Sequence, residues 1–338
     1  MRKIFLMAAA VLVCAAGGAT SSCGGQKKSG TAGAENSETA GGTNAANDGA
    51  LGETPYMMPE VPQMITDPDA RAEWAVEHYW DGFDFADTTL VGSRANYTEQ
   101  AFADFINQIL MRVPREMGDR SIAVAFEKAR ADKAMFAHLA EVAEKYLFDA
   151  NSPYRDDETY ISVLNAVLAN PALDQWERVR PQEQLRMSLK NRVGERAADF
   201  RYTLASGASG SLGGLRAKYT LLFFNNPGCP ACAQTMEQLM ASQFLMEMVA
   251  DGSLAILAVY PDADLEAWRE HAADFPADWI NSYDKTLTLK DDELYDLKAI
   301  PTMYLLDRSK TVMLKDVMSI GLIEQTIYNQ TQTPATAE

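Results

Sequence analysis

Two cysteines separated by two residues, in the sequence Cys229-Pro-Ala-Cys232, constrain this chain more than any other feature. They follow a hydrophobic run at residues 219–224 and precede a helical pattern, which predicts a strand, a short loop and a helix that begins at the motif. Only four cysteines occur in the 338 residues, and the other two, Cys14 and Cys23, lie near the N-terminus. A folded region with just two thiols, two residues apart, is more typical of redox chemistry than of structural disulfides.

The first residues have the features of a secretory signal, which we predict over residues 1–22. A basic start is followed by an apolar stretch at residues 4–16, which is too short to span a bilayer as a mature helix. Small residues then lead to Cys23, a spacing that resembles a bacterial lipoprotein signal and predicts lipid attachment at Cys23. Cleavage of an ordinary signal near Ala19, which would leave Cys23 as a free thiol, is the alternative.

The composition of the next segment predicts a flexible linker over residues 23–55. It consists mainly of Gly, Ala, Ser, Thr and Asn, and so few apolar side chains cannot stabilise a packed core. The whole chain has a formal net charge of −17. Nucleic acid is therefore not expected as a partner, because its binding requires a basic surface.

The remaining residues exceed what one ordinary core supports, so two domains are predicted. The first, residues 56–193, has apolar residues at helical spacing and is expected to be all-α. Its helices are expected to begin after Asp67 and at Thr98, with an interruption near Pro181. The second, residues 194–332, alternates short β-rich runs with helical patterns, which predicts an α/β sheet. Strands are predicted at residues 200–204, 220–225, 254–260 and 303–307, and helices at residues 231–250, 263–273 and 291–297.

The expected strand–loop–helix arrangement assigns different roles to the two cysteines. Cys229 would lie at the helix N-terminus, where the helix dipole and free N–H groups favour a thiolate, and would attack a disulfide. Cys232, one turn further along, would be shielded and would resolve the mixed disulfide. Ile300, Pro301 and Thr302 supply a candidate substrate-binding element, in which a cis proline exposes neighbouring backbone groups to a substrate strand.

Together these motifs resemble a known family. Residues 194–200, Gly207 and residues 215–224 before the Cys-x-x-Cys motif are similar to the opening of the membrane-anchored thioredoxin-like proteins of the bacterial envelope. Residues 79–85 and 190–194 are similar to an uncharacterised domain that precedes thioredoxin modules in some envelope lipoproteins.

The resemblance implies a fold and an activity. The fold would be an α+β two-domain protein, with an all-α domain followed by an α/β thioredoxin-like domain. The activity would be a lipid-anchored, periplasmic thiol–disulfide oxidoreductase that reduces disulfide-containing envelope proteins and is recharged by a membrane electron donor. The resemblance implies no cofactor, and the direction of electron flow is not written in the sequence.

The sequence departs from the family pattern at three positions near the cysteine motif, and two of them lack the usual proton-handling acid. Gly228 stands where a Trp is usual before the first cysteine, and Phe223 stands where thioredoxin has a buried acid. Thr235 replaces the Glu that some envelope reductases have after the second cysteine. Glu237 and Asp307 are the carboxylates that remain nearby in sequence.

The same residues argue against two other functions and leave one alternative open. A zinc site would need two more ligands, and His78, His138 and His271 have no ligand spacing, so no metal is predicted. Asn226 and Leu222 occupy positions at which a peroxiredoxin needs other residues. A binding or scaffold lipoprotein with a catalytically weak thioredoxin-like module remains the alternative.

Several further residues are interpreted as structural. Core positions are expected for Trp74, Trp80, Trp176, Met236, Met240, Met246 and Met248, and helix caps for the pairs Asp156-Asp157 and Asp291-Asp292.

Overall fold

The computed structural model of the protein describes residues 55–332. The expected signal, the expected lipid-attachment residue Cys23 and all but the last residue of the expected linker lie outside the described residues. Between residues 55 and 332, no helix is both long enough and apolar enough to cross a bilayer.

The first part of the described chain is helical. Six helices follow one another here: Pro68–His78 (α1), Ala95–Phe105 (α2), Arg115–Ala129 (α3), Lys133–Leu147 (α4), Asp157–Leu168 (α5) and Gln175–Ser188 (α6). Side chains of aspartates begin several of them, as expected from the sequence. Asp67 accepts a hydrogen bond from the Ala70 N–H at 2.9 Å, and Asp156 accepts one from the Glu158 N–H at 3.0 Å.

Two details of the helical part differ from the sequence prediction. The second helix begins at Ala95 rather than Thr98. Pro181 lies inside α6 and does not interrupt it. A proline there removes one helix hydrogen bond. Near the start of the same helix, the side chain of Arg178 donates to the carbonyl groups of Leu168, Asn170 and Leu173, which anchors α6 to the segment that precedes it.

The core of the helical part is rich in aromatic side chains. Trp80, Tyr79 and Phe105 are 1% exposed or less, and their rings contact one another at centroid distances of 5.0–5.1 Å. Trp80 therefore lies in the core, as expected. Trp74 is half-buried and stacks on His78, whereas the core prediction for Trp176 is wrong, since this residue is 75% exposed.

The second part is a seven-stranded sheet with helices on its faces. Its strands are Arg201–Leu204 (β1), Ser209–Ser211 (β2), Tyr219–Phe224 (β3), Leu254–Tyr260 (β4), Ile280–Tyr283 (β5), Thr302–Leu306 (β6) and Val312–Leu314 (β7), in the order β2-β1-β5-β4-β3-β6-β7. Central β3 pairs in parallel with β4 and antiparallel with β6. The four predicted strands correspond to β1, β3, β4 and β6, whereas β2, β5 and β7 were not predicted.

The helices of this part are Pro230–Ala241 (α7), Gln243–Ala250 (α8), Leu265–Glu270 (α9), Thr288–Asp291 (α10) and Ile320–Gln332 (α11). The single helix predicted at residues 231–250 is divided at Ser242, whose side chain caps α8 by accepting from the Leu245 N–H at 3.1 Å. The helix predicted at residues 291–297 is wrong, because α10 ends at Asp291. Asp291 is the last residue of α10 and Asp292 is its C-cap, so this pair ends a helix instead of starting one.

The two parts have separate apolar cores. One buried cluster draws on residues 56–185, and two others, on the two faces of the sheet, draw on residues 197–327. No buried apolar cluster of the described chain combines residues from both parts. The predicted fold class, an all-α part followed by a thioredoxin-like α/β part, is confirmed.

Candidate active site

The Cys-Pro-Ala-Cys motif lies where the central strand of the sheet passes into a helix. Cys229 is the N-cap of α7, and its Sγ accepts a hydrogen bond from the Cys232 N–H at 3.3 Å. Pro230 occupies the first helical position, where a missing N–H costs no hydrogen bond. The sequence therefore places one sulfur at the positive end of the helix, as predicted.

The turn before the motif explains one departure from the family pattern. Gly228 has a φ angle of +67°, a backbone conformation that residues other than glycine adopt only with strain. A tryptophan at this position would add backbone strain to the loop. The glycine is thus a structural feature of the loop that presents Cys229.

The two thiols differ in their surroundings. Both are reduced, Cys229 is half-buried, and Cys232 is only 6% exposed. Burial, together with a hydrogen bond to Cys229, raises the pKa of the Cys232 thiol to about 12. Cys232 is therefore a neutral thiol at neutral pH, and it must lose a proton before it can act as a nucleophile.

The predicted cis proline lies at the same end of the sheet as the cysteines. The Ile300–Pro301 peptide bond is cis. Thr302 begins β6 and is paired in register with Phe224, the last residue of β3 before the loop to Cys229. Ile300 packs against the apolar cluster that contains Cys232 and that Cys229 also contacts. Ile300, Pro301 and Thr302 do not line the cavity described below.

The helical part contacts this proline-containing segment through polar side chains. Thr302 Oγ1 lies 2.9 Å from Oδ1 of Asp316, and the other oxygen of Asp316 accepts a hydrogen bond from Arg155 in the helical part. Arg155 and Asp316 have side chains 12% and 7% exposed. A chain of two hydrogen-bonded contacts therefore links the helical part to the first residue of β6.

A cavity of about 220 Å³ opens beside both sulfurs. Its walls include Cys229, Cys232, Met236, His271 and Asp274, together with residues of the loop before the motif and Phe275. Met236 packs on the core, as predicted, and also lines this cavity. In the sequence, His271 stands out only as one of three histidines that lack the spacing of metal ligands. Nothing in the spacing of the chain connects residue 271 to residue 229, so only the fold shows their proximity.

The two carboxylates that the sequence pointed to are placed elsewhere. Asp307 lies beyond the far end of β6 from Thr302, where it accepts a hydrogen bond from the Thr311 N–H at 2.8 Å. Glu237 is exposed on α7 and does not line the cavity. Among residues 55–332, no group of three or more His, Cys, Asp and Glu side chains could hold a metal ion.

Comparisons with known proteins agree with this geometry. The family described as "Domain of unknown function (DUF5106)" matches residues 22–191, and the family described as "Thioredoxin-like" matches residues 217–312. No curated protein sequence matches the chain.

Three similar solved structures come from Bacteroides species. A thioredoxin-like protein of Bacteroides caccae is 45% identical, with a TM-score of 0.78 over 82% of this chain and 99% of that chain. The C-terminal domain of an uncharacterized protein of Bacteroides fragilis is 49% identical, with a TM-score of 0.40 over 41% of this chain and 98% of that chain. The thioredoxin domain of a thiol-disulfide oxidoreductase of Bacteroides vulgatus is 22% identical, with a TM-score of 0.35 over 41% of this chain and 95% of that chain. The match to the Bacteroides caccae protein shows that the chain belongs to the family of thioredoxin-like proteins, and its residues 22–191 belong to the family of the domain of unknown function.

Proposed function

We propose that the protein is a thiol–disulfide oxidoreductase that reduces disulfides of envelope proteins through Cys229 and Cys232. Cys229 attacks the substrate disulfide, and Cys232 then displaces the substrate from the mixed disulfide. Ile300, Pro301 and Thr302 hold the substrate backbone. The two electrons pass from the dithiol to the substrate, and a membrane electron donor restores the dithiol.

One observation carries this proposal. Two reduced thiols share a helix N-terminus, and one of them is half-buried while the other is 6% exposed and has a raised pKa. This difference matches the division of roles between an attacking and a resolving thiol. A structural pair of cysteines would not need one sulfur facing an open cavity of about 220 Å³.

Substrate trapping tests the proposal. In a Cys232→Ser variant the mixed disulfide cannot be resolved, so envelope extracts should contain complexes joined through Cys229 that disappear on addition of a reductant. A Cys229→Ser variant, in which the attacking sulfur is lost, is the matched control and should trap nothing. Absence of such complexes in the Cys232→Ser sample, or equal amounts in both variants, would count against the proposal.

The anchoring of the protein is a separate part of the proposal. We propose that Cys23 carries a lipid and that residues 23–55 tether the folded part to the periplasmic face of a membrane. Acyl chains would supply the membrane affinity. A Cys23→Ser variant should leave the membrane fraction, and its retention in salt-washed membranes would contradict the lipid anchor.

A binding or scaffold protein is the second candidate, and one observation favours it. A cavity of about 400 Å³ in the helical part lies between α4, α5 and α6, with the exposed Trp176 among its lining residues. Cavities of this size are common ligand sites. If binding is the function, a variant with both Cys229 and Cys232 replaced by Ser should complement a deletion strain and return it to the wild-type phenotype. The oxidoreductase proposal predicts that it does not.

A further inference from the structure

One titratable pair in the cavity beside the cysteines has no role in the thiol exchange proposed above. His271 is the C-cap of the short helix α9, and Asp274 lies one turn further along the chain. The His271 Nδ1 lies 2.9 Å from Oδ2 of Asp274. Apart from the two thiols, His271 and Asp274 are the titratable residues among those that line this cavity.

We propose that His271 accepts the proton of Cys232 during the resolving step and returns it to the departing substrate thiolate, with Asp274 as its positioning residue. This inference rests on the proposed oxidoreductase function. It names a proton-handling group for a site in which the acidic residues of related proteins are replaced by Phe223 and Thr235.

The geometry of the pair selects the form of the imidazole that can act as a base. An ionised carboxylate only accepts hydrogen bonds, so the tautomer of His271 that pairs with Asp274 carries its proton on Nδ1. In the neutral ring the other nitrogen, Nε2, then has a free lone pair. This nitrogen faces the loop of the cysteine motif, because a Cβ atom at position 228 would lie only 3.6 Å from it.

Gly228 therefore has two consequences for the site. It allows the left-handed turn before Cys229, and it leaves space beside Nε2 of His271 that a large side chain would fill. A tryptophan at this position would be strained in the turn and would bring its Cβ into van der Waals contact with the imidazole.

The proposed step balances atoms and electrons. In the mixed disulfide, Cys229 Sγ is bonded to a substrate sulfur, and Cys232 carries its proton. The proton passes from Cys232 Sγ to His271 Nε2, directly or through one water molecule. The Cys232 sulfur then bonds to the Cys229 sulfur, the bond between Cys229 and the substrate breaks, and the substrate thiolate takes the proton from the imidazolium. The dithiol has lost two electrons, and the substrate has gained them.

A second histidine has the same local structure but does not line the cavity beside the cysteines. His78 ends α1, and its Nδ1 lies 2.6 Å from Oδ2 of Asp81, again three residues further along. The side chains of His78 and His271 are similarly exposed, at 38% and 43%. A His–Asp pair at a helix end is therefore a recurrent feature of this chain. Only the pair at His271 lies in the cavity with both sulfurs.

Single-turnover kinetics test the proposal. Reduced protein is mixed with a peptide disulfide, quenched in acid, alkylated and analysed by mass spectrometry, which separates the mixed disulfide from the oxidised product. His271→Gln should slow decay of the mixed disulfide by about 10²-fold, the usual contribution of one acid–base group, while its formation changes less than about threefold. The matched control His78→Gln should behave like the wild type.

Chemical rescue separates a catalytic role from a structural one. Free imidazole should restore the decay rate of a His271→Ala variant in proportion to its concentration, and it should not accelerate the wild type. Asp274→Asn should slow the same step by a smaller factor, because the ring loses its orientation.

Each outcome is decisive. Decay of the mixed disulfide at the wild-type rate in His271→Gln would overturn the role of His271. Equal slowing of both steps without rescue by imidazole would show that the residue is structural, and would also overturn it. If the wild-type protein forms no mixed disulfide at all, the proposed oxidoreductase function fails instead.

Discussion

The helical and sheet parts of the molecule both bury aromatic side chains, but the surroundings of these side chains differ. In the helical part Trp80 packs on other aromatic rings within a core that also contains aliphatic side chains. In the sheet part Phe223 and Phe224 fill both faces of a strand that ends next to the cysteine loop. Clustered aromatic side chains therefore mark the packed cores of this chain. The candidate active site instead lies in a loop that is held in place by the end of a buried strand.

The contact between the two parts differs from both cores, because it is charged. Asp157 at the start of α5 lies 2.9 Å from Lys315 and 3.4 Å from Lys298, both in the sheet part. Asp157 and Lys315 have side chains 5% and 4% exposed. Lys298 also lies 3.7 Å from the centre of the Phe148 ring. The helical part is therefore attached close to the segment that leads to the cis proline.

The largest expected effect tests whether the two cores are independent. Trp80→Ala and Phe224→Ala each remove a fully buried ring, and each should lower the free energy of unfolding by about 3–5 kcal/mol. Because the apolar clusters are separate, amide hydrogen exchange should accelerate mainly in the part that carries the substitution. Equal acceleration in both parts, for both variants, would show that the protein unfolds as a single cooperative unit.

A smaller effect is expected at the charged contact. Burial by itself would raise the pKa of Asp157, but Lys315 and Lys298 outweigh it and hold the pKa below its ordinary value of 3.8. Asp157→Asn leaves two lysines without their shared carboxylate and should cost about 3 kcal/mol. Faster amide hydrogen exchange around residues 298 and 315 in this variant would measure the lost stability.

The same carboxylate gives the contact a pH dependence. Since its pKa is lower in the folded protein than in the unfolded chain, its contribution is present above about pH 3.8 and is lost as the pH falls through the folded value. The wild type should therefore lose more stability than Asp157→Asn between pH 5 and pH 2. Parallel acid-unfolding curves for the two proteins would show that this pair does not stabilise the contact.

The smallest effect concerns a helix end far from the charged contact. Asp67→Ala removes the side chain that accepts from the Ala70 N–H and should cost about 1 kcal/mol. Urea unfolding measures this change, and disulfide reduction should keep its wild-type rate. A loss of activity in this variant would mean that the helical part influences the cysteines over a longer range than the contacts described above.

The sequence predicted the strand–loop–helix unit at Cys229 because hydrophobic runs, a cap position and a proline all act locally. It also predicted the two parts and their order. It missed β2, β5 and β7, which are short and depend on pairing with distant strands. It was wrong about Pro181, which lies inside α6, and about Trp176, which is on a helix but 75% exposed, because helical spacing alone does not say which face of a helix is buried. It could not predict His271 beside Cys229, because that proximity arises from the order of strands in the sheet.

Equilibration of the protein with glutathione buffers of different redox potential tests the central claim most directly. Mass spectrometry after rapid alkylation measures how much of the chain contains a Cys229–Cys232 disulfide. If the pair is a redox centre, a single disulfide should form reversibly, with a tenfold change in its equilibrium for about every 30 mV, as expected for two electrons. A pair that stays reduced in oxidised glutathione, or that forms only glutathione adducts, would contradict the account.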